Sequence, residues 1–94
     1  MKSLPTGLTQ SGQTPIFTPD TVPEPLTNWH QTGADTWAEI IVLHGTVSYE
    51  MLGDPPETVE LSPELSGVIE PELPHRVSLS ADAQMQVTFY KSGE

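Results

Sequence analysis

The sequence predicts an all-β protein, folded as a small antiparallel sandwich or barrel, and three observations support this. Short segments in which apolar and polar residues alternate recur along the chain, and this period of two is typical of half-buried strands. Ten prolines and seven glycines fall between these segments and act as turn signals. No stretch of helical length shows a 3.6-residue apolar period. Several short strands separated by turns favour a sandwich or barrel.

The length of the chain limits it to one domain, spanning residues 1–94, because a second core would have too little surface to bury. Leu, Ile, Val and Phe together make 22 of the 94 residues. This share lies slightly above the level of about 20% below which a highly charged chain is expected to be disordered. The core is therefore thin, and we expect burial at a homodimer interface to supplement it.

The N-terminal third contains little regular structure in this interpretation. Residues 1–13 are rich in Pro, Gly, Thr, Gln and Ser and are predicted to form a flexible arm. Thr14–Thr18 is predicted as a short strand, placed at a sheet edge because Pro15 has no backbone N–H to donate. Residues 19–26 hold three prolines and are expected to form an ordered loop, and residues 28–30 extend toward the next strand.

The strongest strand signal is the segment Trp37–His44, which ends at Gly45. Its β-branched residues and the closing glycine favour a strand over a helix. Both faces are mostly apolar, so both are predicted to be buried, one in the core and the other against a second sheet or a partner chain. Its even-numbered face carries Ala38, Ile40, Val42 and His44.

Further short strands complete the predicted sheets, with Gly- and Pro-containing turns between them. Alternation assigns one apolar face to each of three of these strands, so those faces should line the core. The strands are predicted at residues 46–52, 57–61, 67–70, 75–79 and 84–90. The three apolar faces are Val47, Tyr49 and Met51; His75, Val77 and Leu79; and Met85, Val87 and Phe89.

Charge and composition exclude several functional classes. Three basic residues stand against thirteen acidic ones, a formal net charge of −10, so the chain lacks the basic surface that binds nucleic acid or anionic membranes. Zero cysteines exclude a disulfide scaffold, a thiolate zinc site and a thiol nucleophile. No apolar run reaches membrane-spanning length and residues 1–12 lack a signal-peptide core, so we expect a cytoplasmic protein.

The three histidines and one glutamate form the candidate chemical site. Strand parity points His44 and His75 inward, and a hairpin would fold His30 against the same interior. Glu70 lies five residues before His75, across a turn that brings its carboxylate back beside the imidazole. Imidazole and carboxylate together suit a divalent transition metal, zinc first, with iron, manganese or nickel also accommodated. Three protein ligands would leave a position open for catalysis, whereas four would close a structural site.

Structural explanations compete with this hypothesis for each residue. A lone inward histidine is more often a hydrogen-bonded core residue than a ligand. His44 stands at a strand end and would then face solvent, and Glu70 would be a solvated turn carboxylate. The explanation as a hydrogen-bonded core residue is weaker for His75, which a proline-flanked loop holds at the start of a strand.

The segment 61–77 resembles the second conserved motif of cupins, in which a strand ends at a proline and a tight turn presents a metal-binding histidine. Glu72 stands where many cupins have glycine, which suggests a different turn geometry. From about Thr14 to Tyr90 the chain resembles the TehB/YeaR-like domain family, small cupin-like domains that occur alone or before the methyltransferase of some tellurite-resistance proteins. The matching features are residues 14–18, Pro23, His30, Thr36–Trp37, Val42–Gly45, Glu70–Pro71, His75 and Val77.

This resemblance implies a double-stranded β-helix, or jelly-roll barrel, with a metal site at His30, Glu70 and His75. Position 44 varies in the family, so His44 is at most an additional ligand. Methyl transfer is not implied, because these 94 residues contain no nucleotide-binding glycine loop. The leading hypothesis is a metal-binding domain related to the tellurite, metal or stress response, whose ion also takes a small molecule or oxyanion. The alternatives are a small metal-dependent oxygenase or isomerase and a metal-free dimeric interaction module.

Overall fold

Two antiparallel β-sheets form the fold of residues 1–92, the part of the chain that the computed structural model describes. The first sheet has the strand order β1-β7-β2-β5 and the second the order β4-β3-β6. Non-consecutive neighbours show that the chain passes back and forth between the sheets. The elements are β1 (Thr9–Gln13), α1 (Glu24–Thr27), β2 (Thr36–His44), β3 (Val47–Met51), β4 (Glu57–Leu61), β5 (Gly67–Ile69), β6 (His75–Leu79) and β7 (Gln84–Lys91).

Strand β2 is central to the first sheet because it pairs with β7 on one side and β5 on the other. Its even-numbered residues Ala38, Ile40 and Val42 are buried, as predicted. Its odd-numbered face is only half-buried, and Leu43 is 42% exposed. The prediction that both faces of this strand are buried therefore holds for one face only.

The core lies between the sheets and consists mainly of the apolar faces that alternation predicted. Gly67 allows close packing there, because a Cβ at this position would lie 2.7 Å from Leu61 Cδ1. Tyr49 is fully buried, and its hydroxyl donates a 2.8 Å hydrogen bond to Val68 O, which links the two sheets. The buried apolar residues are Ala38, Ile40, Val42, Val47, Tyr49, Met51, Leu61, Ile69, Val77, Ala83, Met85 and Val87.

A β-bulge near the end of β2 reverses the predicted orientation of its last residue. Val42 pairs with Met85, but His44 pairs with Gln84, so two steps on β2 oppose one step on β7. An extra residue of this kind shifts every later side chain to the other face of the sheet. The prediction that His44 points inward is therefore wrong. The next residue, Gly45, turns with φ +71°, where a side chain would clash.

The N-terminal third contains more hydrogen-bonded structure than its sequence predicts. Residues 9–13, which the sequence places in the N-terminal arm, form β1 along the edge of β7. This strand is mostly polar and exposed, which explains why it lacks an alternating signal. Residues 14–18, predicted as a strand, form one isolated bridge, between Phe17 and Met85.

The predicted proline-rich loop contains a single helical turn, α1, with Pro25 in its first turn, where a missing N–H costs nothing. This turn packs against β6 and contributes Leu26 to the edge of the core. Within residues 1–92, no helix is both long enough and apolar enough to cross a membrane.

Candidate functional site

His30 and His75 meet at the outer edge of the second sheet. A pair of backbone hydrogen bonds joins them, His30 N to His75 O at 3.1 Å and His75 N to His30 O at 2.8 Å. Their ring centroids are 4.2 Å apart, with the ring planes inclined by 62°. Two imidazoles separated by 45 positions in the chain are thus held side by side by main-chain pairing.

Both imidazoles are anchored through the same ring nitrogen. Nδ1 of His30 lies 2.9 Å from Asn28 O, and Nδ1 of His75 lies 2.8 Å from Leu73 O. A carbonyl oxygen only accepts, so Nδ1 carries the hydrogen in each ring. In the neutral form this leaves the Nε2 lone pair of each ring free, the arrangement in which histidines bind metals.

His75 is a buried histidine with an unused acceptor. It is 1% exposed, and its Nε2 has no hydrogen-bond partner among the described residues. Burial lowers the pKa of His75, the neighbouring His30 lowers it further, and the hydrogen bond to Leu73 O opposes them. The ring is therefore neutral at pH 7. An unsatisfied buried acceptor costs about 1–3 kcal/mol, which a bound ligand would recover.

A small cavity between the two sheets adjoins the histidine pair. It offers about 10 Å³ of space for the centre of a water-sized particle, which is the room of a single water molecule. Apart from the two histidines, its lining is apolar, and the buried thioether side chain of Met85 forms part of it. The other lining residues are Leu26, Ile40, Ile69, Val77 and Val87.

The turn before β6 positions His75. Thr32 pairs with Pro71 in a bridge, and the backbone N–H of Glu72 donates to Thr32 O at 3.0 Å. Glu72 adopts φ +61°, the left-handed conformation that glycine adopts most easily. Glu72 therefore occupies the position where many cupins have glycine, in a backbone conformation that favours glycine. This conformation strains the backbone of the turn.

Glu70 lies at a different surface from the histidine pair. Its carboxylate is 3.6 Å from Lys2 Nζ, and it lines a separate pocket together with Glu57 and Met51. The backbone turn does return toward His75, but the side chain of Glu70 points to the N-terminal residues. The structure therefore does not bring this predicted ligand to the two imidazoles.

His44 also lies apart from the other predicted ligands. Its side chain is 64% exposed, and its Nδ1 lies 3.0 Å from Asp82 O and 3.6 Å from the Asp82 carboxylate. Asp82 follows the end of β6, whereas His75 begins β6, so the length of that strand, about 13 Å, separates His44 from His75. Within residues 1–92, no three side chains of His, Cys, Asp or Glu are grouped closely enough to hold a metal.

Sequence reasoning assigned Met85 to the core and did not consider it as a site residue. The alternation of β7 did predict its inward orientation, which the structure confirms. What the sequence lacked was the packing of β7 opposite β6, which places the thioether side chain beside the same cavity as His75. The anchoring carbonyls of Asn28 and Leu73 also had no sequence signal, because any residue supplies a carbonyl.

Comparison with known proteins gives a family and two similar structures. The TehB-like domain family matches residues 12–87, which confirms the predicted resemblance. A crystal structure of a protein from E. coli strain K12 is similar over 100% of both chains, with a TM-score of 0.90 and 20% sequence identity. No curated protein sequence matches the chain significantly.

The second similar structure is TehB from Haemophilus influenzae. It aligns with a TM-score of 0.83 and 27% identity, covering 93% of this chain and 32% of that one. The chain thus spans about a third of the H. influenzae protein. The similarity to the E. coli structure, at 20% sequence identity, supports the fold alone.

Proposed function

This chain belongs to the TehB-like domain family, and from that premise we propose that it is a binding domain that holds a metal ion between its sheets at His30 and His75. One observation carries the proposal: both imidazoles have Nδ1 hydrogen-bonded to a carbonyl, and the buried Nε2 of His75 has no partner. Imidazoles fixed in this tautomer are the ligands that zinc, copper, iron and nickel share.

The size and polarity of the cavity favour a single ion over a larger ligand. Space of about 10 Å³ accommodates one water-sized particle, whereas organic ligands occupy pockets of about 300–1,000 Å³. An unprotonated Nε2 offers a lone pair, which attracts a cation and repels the oxygens of an oxyanion. A small molecule or oxyanion, the partner expected from the sequence, would therefore bind through the ion after the cavity opens.

A divalent ion, with zinc as the first candidate, needs more ligands than the two imidazoles provide in their present arrangement. Catalytic zinc sites use three protein ligands, and the third one predicted here, Glu70, is paired with Lys2. The residues in their present arrangement do not fit a divalent site. Zinc binding requires the Glu70 side chain to leave Lys2 and turn toward the cavity. We therefore expect Glu70→Gln to lower the affinity for zinc more than the affinity for an ion that needs only the imidazoles.

Metal analysis and thermal denaturation of the untagged protein test this proposal. We expect stoichiometric metal after purification, or a rise in melting temperature on adding a metal ion, and loss of either in the His30→Ala, His75→Ala double variant. His44→Ala is the matched control, because its exposed ring lies beside Asp82, past the far end of β6 from His75. Metal-free protein whose melting temperature no ion changes would refute the proposal.

We further infer that the two sheets form the cupin-like jelly roll implied by the resemblance. The alternation of β1, β2, β5 and β7 in one sheet with β3, β4 and β6 in the other supports it. The His30–His75 bridge adds a segment beside β6, so that four chain segments face four. The site would then lie inside the roll, with His30 on a segment that pairs with β6 through a single bridge.

A metal-free homodimeric module is the second candidate, favoured by the outer face of β2. Trp37 and Ile41 are half-buried there and Leu43 is 42% exposed. Glu39 interrupts this apolar row, and its carboxylate accepts a hydrogen bond from the Ser66 hydroxyl. Light scattering of Leu43→Glu against wild type tests it: a dimer that the variant dissociates, together with wild-type stability of the double histidine variant, would favour this module. An enzyme would need the cavity to open for a substrate as well as to hold the ion, whereas binding needs the ion alone, so we propose binding ahead of catalysis.

A further inference from the structure

We propose that the ion suited to this site is a soft monovalent cation, of the Cu(I) class, and that Met85 supplies its third ligand through the thioether sulfur. This inference rests on the proposed function, because it names the class of ion held by the same two histidines. It adds a ligand that neither the sequence analysis nor the family resemblance assigned.

The donor set supports this class of ion. Cu(I) binds thioether and imidazole ligands and accepts low coordination numbers, whereas carboxylate oxygen suits harder divalent ions. The cavity places two imidazoles and one methionine together, and no carboxylate lines it. Met85 is 1% exposed and lines the cavity, so its thioether side chain lies beside the histidine pair in a place shielded from water.

The charge of the ion leads to the same conclusion. The rest of the lining is aliphatic, and the cost of moving an ion into such surroundings grows with the square of its charge, so a divalent ion pays about four times as much as a monovalent one. A divalent ion would need an anionic ligand to offset that cost, and Glu70 faces Lys2 instead. A monovalent ion needs no such partner, and the net charge of −10 still attracts it to the protein.

The structure also supplies a matched control. Met51 is as well buried as Met85, at 3% against 1%, but it lines the pocket of Glu70 and not the cavity of the histidines. Exchange of methionine for leucine conserves volume and is usually tolerated in a core. Met85→Leu and Met51→Leu should therefore fold alike. Met51 pairs with His75 across the sheet but does not line the cavity, so Met85→Leu alone removes a sulfur from the cavity while Met51→Leu reports any indirect effect on His75.

The test uses Ag⁺, a diamagnetic ion with the same charge and ligand preference as Cu(I), in chloride-free buffer. Calorimetric titration should give one site, weakened at least tenfold by Met85→Leu and unchanged by Met51→Leu. NMR of protein labelled at the methionine methyl groups should show Ag⁺ shifting the Met85 signal and leaving the Met51 signal in place. Bound Cu(I), measured by competition with a chromophoric chelator, should follow the same order of variants. Circular dichroism confirms that each variant is folded.

Two other outcomes are distinguishable. If Zn²⁺ binds at the histidine pair more tightly than Ag⁺, or if Met85→Leu leaves Ag⁺ affinity unchanged, the monovalent site is refuted while the proposed metal-binding function stands. If neither ion binds wild-type protein, both proposals fail, and the cavity beside His75 holds a water molecule at most.

Discussion

Alkaline pH should destabilise this protein through one buried tyrosine, and Tyr49→Phe is the substitution that tests it. The Tyr49 hydroxyl is fully buried and donates a 2.8 Å hydrogen bond to Val68 O across the core. Burial raises the pKa of Tyr49 well above its usual value near 10, and the nearby charges of Glu70 and Glu57 raise it further. The folded protein therefore keeps this phenol protonated at a pH where the unfolded chain releases the proton.

The sign and the magnitude follow from proton linkage. A group whose pKa is higher in the folded state contributes its full stability below the unfolded pKa and loses it as the pH rises toward the folded pKa. Above pH 10 the unfolded chain binds fewer protons, so the free energy of unfolding falls by about 1.4 kcal/mol per pH unit. Because only half of the unfolded tyrosine is ionised at pH 10 itself, wild-type protein should lose about 2 kcal/mol between pH 10 and pH 12.

The curves of unfolding free energy against pH should cross for Tyr49→Phe and wild type. At pH 7 the variant lacks one buried hydrogen bond and should be less stable by about 1 kcal/mol. It has no phenol to ionise, so its stability should not show this alkaline loss, and the two curves should meet near pH 11, about where the wild type has lost the same amount. Urea denaturation followed by circular dichroism from pH 7 to pH 12 measures both curves.

The control is the second tyrosine of the chain. Tyr90→Phe retains Tyr49 and should lose stability above pH 10 as the wild type does. Parallel curves for wild type and Tyr49→Phe up to pH 12 would mean that Tyr49 is not protected from ionisation, and the assignment of its hydroxyl to a sealed core contact would be wrong.

Three further substitutions probe the packing, the strained turn and the surface. Gly67→Ala should cost about 1–3 kcal/mol in urea denaturation because its Cβ would lie 2.7 Å from a leucine methyl carbon, whereas Gly12→Ala, with no atom within 4 Å of the new Cβ, should change stability by less than about 1 kcal/mol. Glu72→Gly should stabilise by up to about 1 kcal/mol, since it relieves a φ of +61°; a loss of stability would show that the turn is unstrained. Arg76→Ala should cost no more than about 1 kcal/mol. It should also shift the emission of Trp29 to the red, because the guanidinium lies 4.5 Å over that ring; unchanged emission, with the other tryptophan replaced, would argue against the contact.

The strand alternation in the sequence was sufficient to predict most of the core and half of the site. Val47, Tyr49 and Met51 face inward on β3 as predicted, and so does His75 on β6. In these strands one face is buried and the other is half-exposed or solvated, so the period of two survives in the sequence. The same alternation on β6 predicted that His75 is a buried histidine.

The tertiary structure decided which of the predicted ligands meet. A bulge in β2 turned His44 outward, and no local signal marks a bulge, because the extra residue is placed by the pairing of β2 with β7. The Glu70 carboxylate lies beside Lys2, a residue 68 positions away. Met85 and His75 line one cavity because β7 faces β6 across the core. Alternation along a strand reports which face a side chain occupies, whereas distances between strands are set by register and packing, which the linear sequence does not encode locally.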